Sequence, residues 1–152
     1  MEKKYRLTEE TKEWCGRTLH RIEALKDFGD VKTGDKGGWI EKEENLRHQG
    51  DAWVYDEARV SDSARVSDSA CVSGSACVSD SADYIVFKNW WGSGRYFTWT
   101  RSNNLWKVGC FYGTGEELIK KAYADSEKSG REYERVVKYV ESILADEKEN
   151  KE

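Results

Sequence analysis

Between Val54 and Val78 a valine returns at every sixth position, and each is followed four residues later by an alanine. The pairs are Val54/Ala58, Val60/Ala64, Val66/Ala70, Val72/Ala76 and Val78/Ala82, with serine and aspartate or glycine between most of them. A period of six fits neither an amphipathic helix nor a half-buried strand; it marks a repeat, with one branched and one small residue inside each unit. Ile40 and Leu46 lie on the same spacing, so a degenerate coil begins near Gly38. Upstream, Tyr5–Leu7 and Thr18–Leu25 read as strands, with Trp14-Cys15-Gly16-Arg17 as the turn between them. Downstream the pattern changes to Tyr84–Phe87, Tyr96–Arg101 and Leu105–Cys110, broken by turns at Gly92-Ser93-Gly94 and Ser102-Asn103-Asn104. Thr114-Gly115-Glu116-Glu117 is a capping box that opens a helix presenting Leu118, Ile119, Ala122 and Tyr123. Ser129-Gly130 is expected to break that helix. A second helix then carries the stripe Tyr133, Val136, Val137, Val140, Ile143 and Leu144, and the tail beyond Ala145 is expected to fray.

The hexads resemble those of left-handed parallel β-helices, in which three units make one triangular coil. The expected fold is therefore mainly β with an α cap: a short left-handed parallel β-helix, an N-terminal β cap, and a C-terminal β-hairpin plus two helices. The divisions fall at residues 1–38 (β cap), 39–83 (hexads), 84–113 (aromatic, cationic hairpin) and 114–152 (helical hairpin and charged tail). An 18-residue coil places Trp53 over Cys71, Arg59 over Cys77, and Arg65 over Asp83 as an ion pair. So few buried valines do not offset the entropy of ordering the segment, and open sheet edges above and below need caps or partner chains. Such helices commonly trimerise, which makes a homo-oligomer, a trimer, the expected assembly.

Charge informs only when divided along the chain. The whole carries −4, too little to mark a nucleic-acid or membrane binder. Residues 51–83 hold two basic and seven acidic side chains, whereas residues 84–113 hold four basic ones and no acid. That cationic block is also rich in aromatic residues. No apolar run reaches the roughly 18 residues of a membrane span, and the N-terminus lacks a signal-peptide pattern. The four cysteines have no CxxC spacing, so reduced thiols in a cytoplasmic protein are expected.

Candidate chemistry concentrates in residues 84–113. Backbone N–H groups of the Gly-Ser-Gly turn, with Ser93 and Arg95, offer an anion site; Trp90, Trp91 and Trp99 offer stacking platforms; Arg101 and Lys107 can neutralise phosphate. Tyr96, Phe97, Phe111 and Tyr112 are expected to fill the small core beneath the helices. Adjacent Trp90 and Trp91 point opposite ways on a strand, so one is expected to be exposed or at an interface. Hexapeptide acyltransferases use a histidine base, and here the regular hexads contain none; His20 and His48 lie outside them. No catalytic residue, cofactor or metal site is assigned.

The path through Arg21–Leu25, Gly34–Gly38, Glu43–Leu46 and Trp53-Val54 into hexads, then Gly109-Cys110-Phe111-Tyr112-Gly113-Thr114 and two helices, resembles a family of small proteins of tailed phages, prophages and gut Firmicutes. The resemblance brings no functional residues with it. It implies a phage setting, and hence a non-enzymatic, oligomeric counter-defence protein in the host bacterial cytoplasm that holds a nucleotide immune signal between subunits. A protein-binding inhibitor of a host defence effector, a CoA-dependent acyltransferase and a structural phage component are the alternatives. Neither a membrane nor duplex nucleic acid is an expected partner.

Overall fold

The computed structural model describes residues 3–109 and 111–150, so Cys110, at the centre of the Gly-Cys-Phe-x-Gly-Thr motif, lies outside the described residues. Strands β1 (Tyr5–Trp14) and β2 (Arg17–Ala24) form an antiparallel hairpin. Its turn residues Cys15 and Gly16 both have positive φ, 50° and 77°, which matches the twist of the flanking strands. β2 continues antiparallel onto β3 (Lys36–Ile40).

The hexads then contribute four strands of two residues each: β4 (Trp53–Val54), β5 (Arg59–Val60), β6 (Cys71–Val72) and β7 (Cys77–Val78). β5 and β7 extend the first sheet in parallel, giving the order β1-β2-β3-β5-β7. β4 pairs parallel with β6, and a parallel bridge joins Leu46 to Val66. Trp53 lies opposite Cys71 and Arg59 opposite Cys77.

The expectation of a left-handed parallel β-helix is corrected here. The hexad strands do not make a parallel helix of their own; they belong to a mixed five-stranded sheet and a two-stranded pair, beside a separate antiparallel sheet. The physical reason lies in the strand lengths and edges. Four hexads keep two paired residues and Val66 makes only a single bridge, and the corners at Gly50, Asp56, Asp62, Asp68 and Gly74 take positive φ. The outer edge of β3, where another parallel coil would add, is taken by β2 running antiparallel. The mainly β character stands. The early rung is also offset: Ile40 pairs with Val60 and Leu46 with Val66, a shift of 20 rather than 18, because Leu46 and Val54 are eight residues apart. The extra two residues are accommodated around His48-Gln49-Gly50. Asp83 does not meet Arg65; its carboxylate lies 3.8 Å from Arg101 and accepts from the Ser79 and Asp80 N–H groups.

Beyond the hexads stands a four-stranded antiparallel sheet rather than one hairpin: β8 (Tyr84–Lys88), β9 (Tyr96–Thr100), β10 (Leu105–Val108) and β11 (Phe111–Gly113), in the order β11-β10-β9-β8. α1 (Gly115–Asp125) opens on Thr114, whose hydroxyl accepts from Glu117 N–H while the Glu117 carboxylate accepts from Thr114 N–H. α2 (Glu127–Asn150) contains Ser129 and Gly130, so the helix break falls at Ser126 instead, and the helix runs past Ala145. Gly130 serves closeness rather than a break, since a Cβ there would sit 2.3 Å from the Tyr123 ring. Among the described residues no helix is long and apolar enough to cross a membrane.

Two apolar cores result. One runs through Tyr5, Ile22, Ile40, Leu46, Trp53 and the repeat valines and alanines; the other joins Phe97, Trp99 and Trp106 to Leu118, Tyr133, Val137 and Val140. Side chains close the ends of the hexad stack. Above, the Tyr5 hydroxyl donates to the Glu43 and Leu46 carbonyls, Lys4 Nζ to Ala52, and Asn45 Nδ2 to Ala64. Below, Thr98 Oγ1 accepts from Cys71 N–H and Ser102 Oγ from Cys77 N–H, while the hydroxyls of Tyr84 and Tyr112 donate to the carbonyls of Arg65 and Ser73. These groups, which a bare stack would leave open, thereby find partners within one chain.

Candidate functional site

The β8–β9 turn is built on Asn89, which is buried. Its N–H donates to Arg95 O (2.8 Å), its carbonyl accepts from Gly94 N–H (2.9 Å), and its side-chain amide donates to the Tyr133 hydroxyl. Trp91 is the second anchor. It meets the Tyr133 ring edge-on at 4.9 Å and brings its indole N–H to 3.5 Å from Ser129 Oγ, tying the turn to the first turn of α2. Trp90 goes the other way and is 65% exposed, touching Trp91 edge-on at 5.9 Å. The Lys128 ammonium lies 5.6 Å from the Trp90 ring, and Arg95, exposed, stands on the same turn. On the neighbouring strand pair, Lys88 lies 6.0 Å from the ring of Tyr96, which is 50% exposed. None of Lys88, Arg95 and Lys128 is in an ion pair among the described residues.

Several members of the expected constellation are placed elsewhere. Trp99 is fully buried, packed near Trp106 with its indole N–H donated to Asn104 Oδ1, so it offers no stacking face. Arg101 is held by both carboxylate oxygens of Glu147 at 2.9 Å and fastens β9 to α2. Lys107 stands opposite Thr98, the residue that touches the hexads, and its ammonium approaches Tyr55. The Gly-Ser-Gly turn spends the Gly94 N–H on Asn89 O, and the Ser93 hydroxyl oxygen accepts from the Arg95 N–H. Trp90, Ser93 and Arg95 share the β8–β9 turn and are exposed, with Trp91 as its anchor. Sequence reasoning missed Lys88, Lys128 and Tyr96. Tyr96 was expected in the core with Phe97, Phe111 and Tyr112, but only Phe97 is fully buried; Tyr112 is spent capping Ser73. Lys88 and Tyr96 are cross-strand partners, a signal available once the turn is placed. Lys128 reaches the turn only through helix docking.

His48 has a different setting. Its ring stacks on Tyr5 at 4.2 Å, and Nδ1 accepts the Lys4 N–H. Burial lowers its pKa, and the accepted bond puts the proton of the neutral ring on Nε2. That Nε2 is covered and has no partner among the described residues.

No protein-family model matches the chain. It is similar to the uncharacterized acetyltransferase YdcK of Escherichia coli (strain K12), 38% identical over 63 residues. The match covers 36% of this chain and 19% of that protein, so the chain spans about a fifth of its relative's length.

Proposed function

We propose that the chain is a non-enzymatic binding protein that grips a partner protein through the Trp90 turn. The partner offers an apolar slot for the indole and acidic groups around it. One observation carries this reading: a tryptophan 65% exposed on a turn pinned by Asn89 and Trp91, with the Lys128 ammonium 5.6 Å from its ring and Arg95 exposed on the same turn, neither cation in an ion pair among the described residues. Tryptophan and arginine dominate the energetic centres of protein interfaces, and a preset turn lowers the ordering cost of binding. A nucleotide clamp fits less well, because Trp99 and Arg101 are used inside the fold. The phage resemblance makes a host defence protein the first partner to try. The test compares wild-type and Trp90→Ala protein in pull-downs from host lysate, with titration calorimetry against cyclic oligonucleotides alongside. Stoichiometric retention of one protein by wild type, lost in Trp90→Ala, is the expected result. Heat with an oligonucleotide and no retained protein would restore the nucleotide reading.

Acyl transfer is a second reading, favoured by the similarity to an acetyltransferase. Against it stands His48, the histidine nearest the hexads: with Nδ1 occupied and the proton on a covered Nε2, the ring is poorly set to act as a base. Saturable acetyl-CoA binding that His48→Ala weakens would support it.

A further inference from the structure

Beside the Leu46–Val66 bridge lies a concavity of about 310 Å³ whose lining includes Glu43, Glu44, Arg47, His48 and Arg65. Leu46 and Val66 are bridged in parallel and both fully buried. Arg47 follows one and Arg65 precedes the other, so both side chains project from the outer side of the same face. Both arginines are exposed, and neither is in an ion pair among the described residues. Of the two acids at the rim, Glu43 is drawn to Lys3 at 2.9 Å, which leaves two guanidinium groups against the single carboxylate of Glu44. The wall also includes His48.

We propose that this concavity is a binding site for a small oxyanion, the carboxylate or phosphate group of a metabolite, held between Arg47 and Arg65. Guanidinium groups present paired N–H donors that match two oxygens of such a group, and two neighbouring cations are relieved of mutual repulsion when an anion lies between them. His48 borders the site and reports on it. The inference is independent of the Trp90 turn and does not rest on it.

The test is a titration of the whole chain with inorganic phosphate and, separately, with acetate, followed by the His48 ring resonances at low ionic strength. Saturable shifts with at least one anion are expected. The Arg47→Ala/Arg65→Ala double variant should bind at least tenfold more weakly, and a Lys120→Ala/Arg131→Ala variant, which removes the same charge from exposed helix positions, should bind unchanged. Phosphate alone saturating assigns the phosphate group, and acetate alone the carboxylate. Shifts that never saturate with either anion, or equal binding by the Arg47/Arg65 double variant, would overturn the proposal. The substituted side chains are exposed, so an unchanged circular dichroism spectrum separates loss of binding from loss of fold.

Discussion

Lys4 shows how one buried side chain links burial, hydrogen bonding and pH. It has no solvent exposure, donates to the Ala52 carbonyl at 2.7 Å, and lies 4.6 Å from the Phe28 ring. Burial pushes its ammonium down to about 8, against the attraction of Asp51. Because the folded-state value lies below the unfolded one of 10.5, the unfolded chain holds more proton between the two, and folding gains stability as pH rises through that window. Replacing Lys4 with methionine removes the ionisation and keeps the packing. The stability of wild type relative to Lys4→Met, from urea unfolding at pH 7 to 10, should therefore improve as pH rises above about 8; a flat difference would contradict this. Nothing in the sequence marks Lys4 among its neighbours Lys3 and Arg6. Trp99 and Arg101 likewise read as ligand groups in the sequence, yet one is core and the other a clasp on Glu147. Local composition names a residue's chemistry but not which side of a sheet faces helices.

At the level of elements, the hexad strands depend on neighbours more than on themselves. Two paired residues per strand provide few ladder bonds, so the lowest rung borrows acceptors from the side chains of Thr98 and Ser102. Thr98→Val keeps the shape and removes the acceptor for the Cys71 N–H. That change should cost about 1–3 kcal/mol, the penalty of an unsatisfied buried polar group, measured by urea unfolding. Amide exchange at Cys71 should quicken, and exchange left unchanged would mean that another group closes this edge. The period of six was legible without structure, as were the Thr114 cap and the stripe on α2. The joining of hairpin and hexads into one mixed sheet was not, because a repeat specifies its own stacking and says nothing of which strand covers the first rung. Gly130 illustrates the same limit, since a glycine marks a break or a close approach alike.

For the whole molecule, the caps change what assembly must accomplish. A short stack was expected to need caps or partner chains at its open edges, and the N-terminal hairpin and the C-terminal sheet supply caps within one chain. Folding should then not depend on association. The melting temperature should stay constant over a hundredfold dilution, whereas a fold completed only by subunits would melt lower when dilute. The candidate surfaces are also products of the whole. Trp90 and Arg95 were visible in the cationic block, but Lys128 joins them only because α2 docks against Trp91. Arg47 and Arg65, eighteen residues apart, share a face only because Leu46 bridges Val66. By itself the sequence determined the repeat, its inward valines and alanines and the opening of the first helix, all consequences of local backbone and side-chain preference. Tertiary structure alone decided which edges pair antiparallel, which aromatic residues are buried and which cations stay unpaired. Those outcomes depend on what packs against each face, and period and composition do not encode it.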